Sequence, residues 1–213
     1  MRVTFPRLPN DSAGYSVVER DDGVVYQMQG SRSGNELPHD LRHLIVEREL
    51  GIADGIWGGI AAGTVYKSMR HLAGRLPPHA AQHSADMKRA NRDRMMLAEA
   101  LANLVEAVAA LEDPSPDQIR RVTRDKFSVA PVTEPCADPA ILLAPPPEVL
   151  AAAASALQVE AARWARLRPG EELSYEWRPA SRPGVRALRS VPRPREPAER
   201  RNHRRGKGPG HPG

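Results

Sequence analysis

The sequence predicts an α+β fold, mainly helical, in which a small antiparallel sheet formed by an N-terminal hairpin and a C-terminal strand ties the two ends of the folded part together. Three observations predict it. Two short β-branched runs flank Asp21-Asp22-Gly23, apolar residues recur at helical spacing through the middle, and Leu173, Tyr175 and Trp177 alternate with polar residues near the end. A chain of 213 residues can bury one core without requiring two. We therefore expect a single domain over 1–178, followed by a disordered tail over 179–213.

The hairpin is read from "YSVVERDDGVVYQMQ", because Asp and Gly tolerate the positive φ of a tight turn. Strands are expected near 15–20 and 24–28. Pro38 suits the first turn of a helix over 37–50, with Gly51 as its C-cap. Asp54 is placed to cap a second helix along "DGIWGGIAAGTVYKSMRHLAG". Gly58, Gly59 and Gly63 each cost about 1 kcal/mol of helix propensity there, so that helix needs tertiary packing. Four-residue glycine spacing would admit a close backbone approach, and Trp57 is placed to close over the first helix.

The longest helix is expected over 80–111, from Met87 through Leu97, Leu101, Leu104, Val105, Val108 and Leu111. Ser115 and Pro116 restart a short helix to about 127. Proline-rich residues 128–147 read as an extended crossing segment. An alanine-rich helix opened by Pro147 then stops before Pro169-Gly170, and "EELSYEW" reads as a half-buried strand. A lone strand has nowhere to hide its apolar face, so the N-terminal hairpin is its expected partner. Trp164, Tyr175 and Trp177 are expected in the core.

Charge is divided unevenly along the chain. Residues 179–213 carry nine Arg and Lys207 against Glu196 and Glu199, a net of +8, which leaves −3 of the overall +5 for residues 1–178. The high pI therefore belongs to the tail and does not argue that the folded part binds nucleic acid. Arg200, Arg201, Arg204, Arg205 and Lys207 could hold a nucleic acid or an acidic partner by charge alone, in a salt-sensitive way. No aromatic residue interleaves them to stack on bases.

Several functional classes find no support. The single cysteine, Cys136, lacks a CxxC partner or a neighbouring base, and no serine sits in a GxSxG elbow. No GxGxxG or Walker pattern occurs. Without an apolar leader or an unbroken apolar span, a soluble cytoplasmic protein with no membrane partner is expected.

The stretch "ELPHDLRHLIVERELG" carries the one suggestive constellation. Successive helical residues turn ~100°, so His39, His43 and Glu47 lie within ~80° of one another on one stripe. Leu37, Leu41, Leu44 and Ile45 form the main apolar face, while Val46 and Leu50 flank the histidines. The helix should thus be covered on two sides with its histidines partly buried. Two imidazoles at this spacing can share Zn²⁺, with Glu47, His71, His79 or His83 as a third donor. The match to the metalloprotease pattern HExxH is partial, since Asp40 stands where that motif has its general base and is one methylene shorter. The competing reading has Asp40 favouring the helix N-terminus and both histidines bonded to neighbouring backbone.

"LPHDLRHLIVERELGIADGIWGGIAAGTVYKSM", with "RWARLRPGEELSYEW" later, resembles a family of uncharacterised actinobacterial proteins with a PHDLxH helix and an LGxxDGxWGxxAAG segment. The resemblance implies the architecture over most of 1–178, matches His39, Asp40 and His43, and carries no activity. Two expectations follow from the sequence. The first is a protein that acts by binding a partner through its acidic folded unit, the basic tail being optional. The alternative is a metal-dependent hydrolase with His39 and His43 as ligands, Asp40 or Glu47 as accessory carboxylate, and Zn²⁺ as its cofactor.

Overall fold

The computed structural model describes residues 1–128 and 144–178. In chain order these form β1 (Arg2–Pro6), β2 (Ala13–Glu19), β3 (Val25–Arg32), α1 (His39–Leu50), α2 (Ile56–Ala61), β4 (Met69–Ala73), α3 (Ala80–Ala90), α4 (Arg92–Ala109), α5 (Pro116–Ser128), α6 (Pro147–Arg166) and β5 (Glu172–Glu176). The expected α+β architecture is present, helix-dominated with an antiparallel sheet. That sheet has five strands in the order β4-β3-β2-β1-β5, every pair antiparallel.

The hairpin at Asp21-Asp22-Gly23 forms as read. Gly23 takes φ +79°, and its N–H closes the turn onto the Arg20 carbonyl. The C-terminal strand does close the sheet, but it pairs with β1 rather than with the hairpin. The expectation of about three strands is corrected by β1 and β4. Strand β1 is only "RVTFP", with Val3 and Phe5 inward, a period-2 signal too short to stand out beside Arg2 and Pro6. Strand β4 is an edge strand with most of its side chains exposed, so it carries no alternation to read. One inward row crosses the sheet through the paired residues Tyr175, Val3, Val18 and Tyr26, all buried.

The second helix is shorter than expected, because Gly63 at φ +110° ends it and the chain turns toward β4. Asp54 does not cap it. Gly55 occupies the N-cap position, while Asp54 faces Arg94 at 3.4 Å. The helix expected over 80–111 is broken at Asn91, whose backbone leaves the helical region (φ −104°, ψ 13°), giving α3 and α4. By contrast α5 starts where Ser115 places it. Its hydroxyl accepts from the Gln118 N–H at 3.3 Å and the Gln118 side chain accepts from the Ser115 N–H at 2.8 Å, a reciprocal capping box. The proline-rich crossing segment, Cys136 and the basic tail lie outside the described residues, apart from Ala144–Pro146 ahead of α6.

Helix α1 is the hub, packed on α2, α4, α6 and β3. Leu41, Leu44, Ile45, Val46 and Leu50 are all buried, and so are His43 and Glu47. The wheel placed cover on two sides of this helix. Its polar stripe is covered as well, because α4 and α2 pack against it. Trp57 on α2 does close over α1: fully buried, it donates from Nε1 to the Asp40 carbonyl at 3.1 Å and meets Phe5 of the sheet edge-on. Trp164, Tyr175 and Trp177 are core residues, as expected. No helix among the described residues is long and apolar enough to cross a membrane.

Candidate metal centre

Helix α1 begins after Pro38 without a side-chain cap, and its first two turns carry His39, Asp40 and His43. The four-residue spacing stacks the two imidazoles, with ring centroids 4.6 Å apart. They therefore project together, one exposed at the helix start and the other buried. Opposite them, α4 turns Ala98, Leu101, Ala102, Leu104, Val105 and Val108 into the core, and this leaves Glu99 and Glu106 on a stripe that faces α1. Glu106 pairs with Arg42. Glu99, one heptad earlier, reaches the histidines.

The two Nε2 atoms converge on that one carboxylate. His43 Nε2 is 2.9 Å from Glu99 Oε2 and His39 Nε2 is 3.7 Å from Glu99 Oε1. The donor atoms of His39, His43 and Glu99 all lie within 4.8 Å of one another, so the group could hold a metal ion. Three donors at ~2.1 Å from a tetrahedral metal would stand about 3.4 Å apart. Small rotations of the half-exposed His39 and Glu99 side chains would reach that spacing.

Behind the rings stand two further carboxylates. His39 Nδ1 is 3.5 Å from Asp40 Oδ1, and His43 Nδ1 is 3.9 Å from Glu47 Oε1. Metal-ligating histidines are commonly backed by a hydrogen-bonded carboxylate, which fixes the ring and turns the other nitrogen toward the metal; the Asp40 contact to His39 has that form, whereas Glu47 stands beyond hydrogen-bonding reach of His43. Although Glu99 is close, its direction from His43 is not that of a hydrogen bond. Both nitrogens of this buried ring therefore lack a hydrogen-bond partner, an arrangement that normally costs a polar group ~1–3 kcal/mol. Burial pushes His43 down to about 4, helped by the nearby His39 and Arg42 and opposed by Glu99. Near neutral pH the ring is thus uncharged, the form that donates a lone pair to a metal.

Glu47, expected as the third ligand, does something else. Its two oxygens accept the Ile56 N–H at 2.9 Å and the Trp57 N–H at 3.0 Å, capping α2 from the neighbouring helix. Gly55 makes room for it, since a Cβ there would lie 2.6 Å from the carboxylate. Burial raises Glu47 to about 8, against the opposing pull of the Trp57, Ile56 and Gly58 amides. Asp40 is likewise raised by burial, with His39 working the other way. Its second oxygen faces Gly30 of the sheet.

The other three histidines among the described residues lie elsewhere. His71 bonds the Gly74 carbonyl, His79 caps α3 in a left-handed conformation, and His83 bonds the Ala62 carbonyl. Arg200, Arg201, Arg204, Arg205 and Lys207 are outside the described residues. Glu99 escaped the sequence reading because no spacing links it to residue 43. Its signal was the heptad pair Glu99 and Glu106 inside an otherwise apolar helix, which marks a stripe with polar business against a neighbour.

Comparison with protein-family models, curated proteins and solved structures finds no match for this chain. What the centre can do is therefore argued from its own donors: two imidazoles, one carboxylate, and a partly open side.

Proposed function

We propose that the protein holds a divalent transition-metal ion, Zn²⁺, between His39, His43 and Glu99, and uses it in a hydrolytic reaction. One observation carries this reading: both Nε2 atoms face a single carboxylate while both Nδ1 atoms face carboxylates of their own. Two neutral imidazoles and a carboxylate suit zinc, and three protein donors leave a position for water or substrate, the pattern of a reaction site rather than a structural one. His39 and Glu99 are half-exposed, which supports a position open toward the surface side of α1. Bound there, the ion would supply a Lewis acid that lowers the pKa of water to ~7. Asp40 bonds the back of the His39 ring, which supports an orienting role for it, while Glu47 is held by the amides of α2 and supports neither that role nor the accessory-base role.

The test is zinc titration of the full chain, purified without a histidine tag and stripped with chelator. One equivalent should bind, and the His39→Ala, His43→Ala pair should lose it. Because His43 is buried, His39→Ala alone serves as the check that keeps the core intact. Absence of stoichiometric zinc, or its retention by the folded double variant, overturns the reading.

A further inference from the structure

Glu99 belongs to two features at once. Besides facing the histidines, it lines an open groove of about 1060 Å³ that runs along α4 from Arg92 to Ala110 and is walled on one side by Asp125 and Lys126 of α5. Eighteen residues of helix span about 27 Å, and the volume is at the upper end of what small-molecule sites enclose, roughly 300–1,000 Å³. Its floor is apolar, with Met95, Met96, Ala100 and Ala107. Met96 is 58% exposed, so this floor is open to an incoming chain.

The charges along the groove are not balanced. Glu106 is neutralised by Arg42. Arg92 stands two turns before Glu99 on α4, and Lys126 reaches in from α5, which doubles back along α4. Glu99 and Glu106 are engaged by the histidines and by Arg42 rather than by these two cations. With a divalent ion on Glu99, the ion's two charges and these two cations outweigh Glu99 and Asp125 by two.

We propose that the groove binds a phosphate monoester of an apolar alcohol, its dianionic phosphoryl group at the metal between Arg92 and Lys126 and its hydrocarbon part along Met95, Met96 and Ala100. This rests on the reading of the metal centre given above. A carboxylate carries half the compensating charge, inorganic phosphate forgoes the apolar floor, and a cationic amphiphile meets repulsion. Charge and surface together select the phosphate ester.

The experiment is calorimetry of zinc-loaded full-length protein with hexyl phosphate, hexanoate, inorganic phosphate and hexyltrimethylammonium, after a zinc titration of each protein used. Hexyl phosphate should bind at least about tenfold more tightly than any of the others, and the Arg92→Ala, Lys126→Ala pair should lose about tenfold, in line with two partly exposed ionic contacts, while its zinc affinity stays that of the wild type. Equal or tighter binding of hexanoate or of the cation by zinc-loaded protein overturns the inference and leaves the metal centre standing. So does a double variant that still binds hexyl phosphate like the wild type. A chain that takes up no zinc brings down both, and the zinc titration shows that separately.

Discussion

His43 Nε2 lies 2.9 Å from Oε2 of Glu99, a contact that joins the second turn of α1 to the middle of α4. One partner is 1% exposed and the other 46%. A buried neutral ring therefore presents its nitrogen to a carboxylate that solvent and ligands can reach. The first prediction separates metal binding from fold. Changes to groups behind a ligand cost ~10–100-fold in metal affinity, so Glu99→Gln, which weakens a direct donor, should lower zinc affinity by more than that. Glu99 is outside the apolar seam of α4, so the melting temperature of the metal-free variant should stay within a few degrees of wild type. Chelator-competition titrations and a thermal melt on the same samples read both.

Asp40→Asn should act more gently. Asn can still accept a hydrogen bond through its side-chain oxygen but no longer holds a charge against His39 Nδ1, so the ring keeps its place and loses its electrostatic backing. A loss of roughly tenfold in zinc affinity is expected. A Co²⁺-substituted sample should show a shifted ligand-field spectrum, which a merely structural role for Asp40 would leave alone.

Glu47 should behave in the opposite sense to Glu99. Glu47→Ala strips the acceptor from two backbone N–H groups at the start of α2 and opens a cavity beneath Trp57. Each orphaned buried donor costs ~1–3 kcal/mol, so a loss of several kcal/mol in urea unfolding is expected. Gly55→Ala should also destabilise, since its methyl would press on the same carboxylate. A Glu47→Ala protein as stable as wild type would show that α2 finds its cap elsewhere.

These contrasts mark how far the sequence could be read. The hairpin, the histidine stripe, the Ser115 start and the Leu173–Tyr175 strand were legible because each signal is local: a turn dipeptide, a 100° step, a cap, a period of two. The role of Glu47 was not, although the residue itself was picked out. A wheel shows that Glu47 shares a stripe with His43, but not that α2 will set its first two amides against it. Glu99 offered only its heptad pairing with Glu106, which names no partner, since only the packing of α4 on α1 brings it to the histidines. The edge strand β4 was lost because exposure removes the burial pattern that identifies strands.

The folded unit should not need the basic tail. The last backbone pairing of the described chain is the Trp177 N–H donated to the Met1 carbonyl at 2.7 Å, just past β5. Removing residues 179–213 keeps every core residue named above, so the melting temperature should move little. With the +8 segment gone, any salt-sensitive binding to nucleic acid should vanish too, as a gel-shift series in rising salt would show. A large fall in melting temperature would place part of the core beyond residue 178.

The pH dependence of the metal-free chain follows from two buried groups with opposite habits. Glu47 is raised from the ordinary 4.5 to about 8, so between those values the unfolded chain has released a proton that the folded chain keeps. Its contribution is present in full below pH 4.5 and is lost as pH rises to 8. His43 is lowered from 6.5 to about 4, so below 6.5 the unfolded chain takes up a proton that the folded chain refuses, and stability falls as the solution is acidified. The two effects oppose each other between pH 4.5 and 6.5, and above 6.5 only Glu47 remains. The urea midpoint should therefore fall from pH 6.5 to 8, with a slope approaching about 1.4 kcal/mol per pH unit. Glu47→Gln, which cannot ionise, should flatten that slope while keeping the acid limb due to His43. A wild-type midpoint that is level or rising between pH 6.5 and 8 would mean that the amides of Ile56 and Trp57 hold Glu47 charged despite its burial.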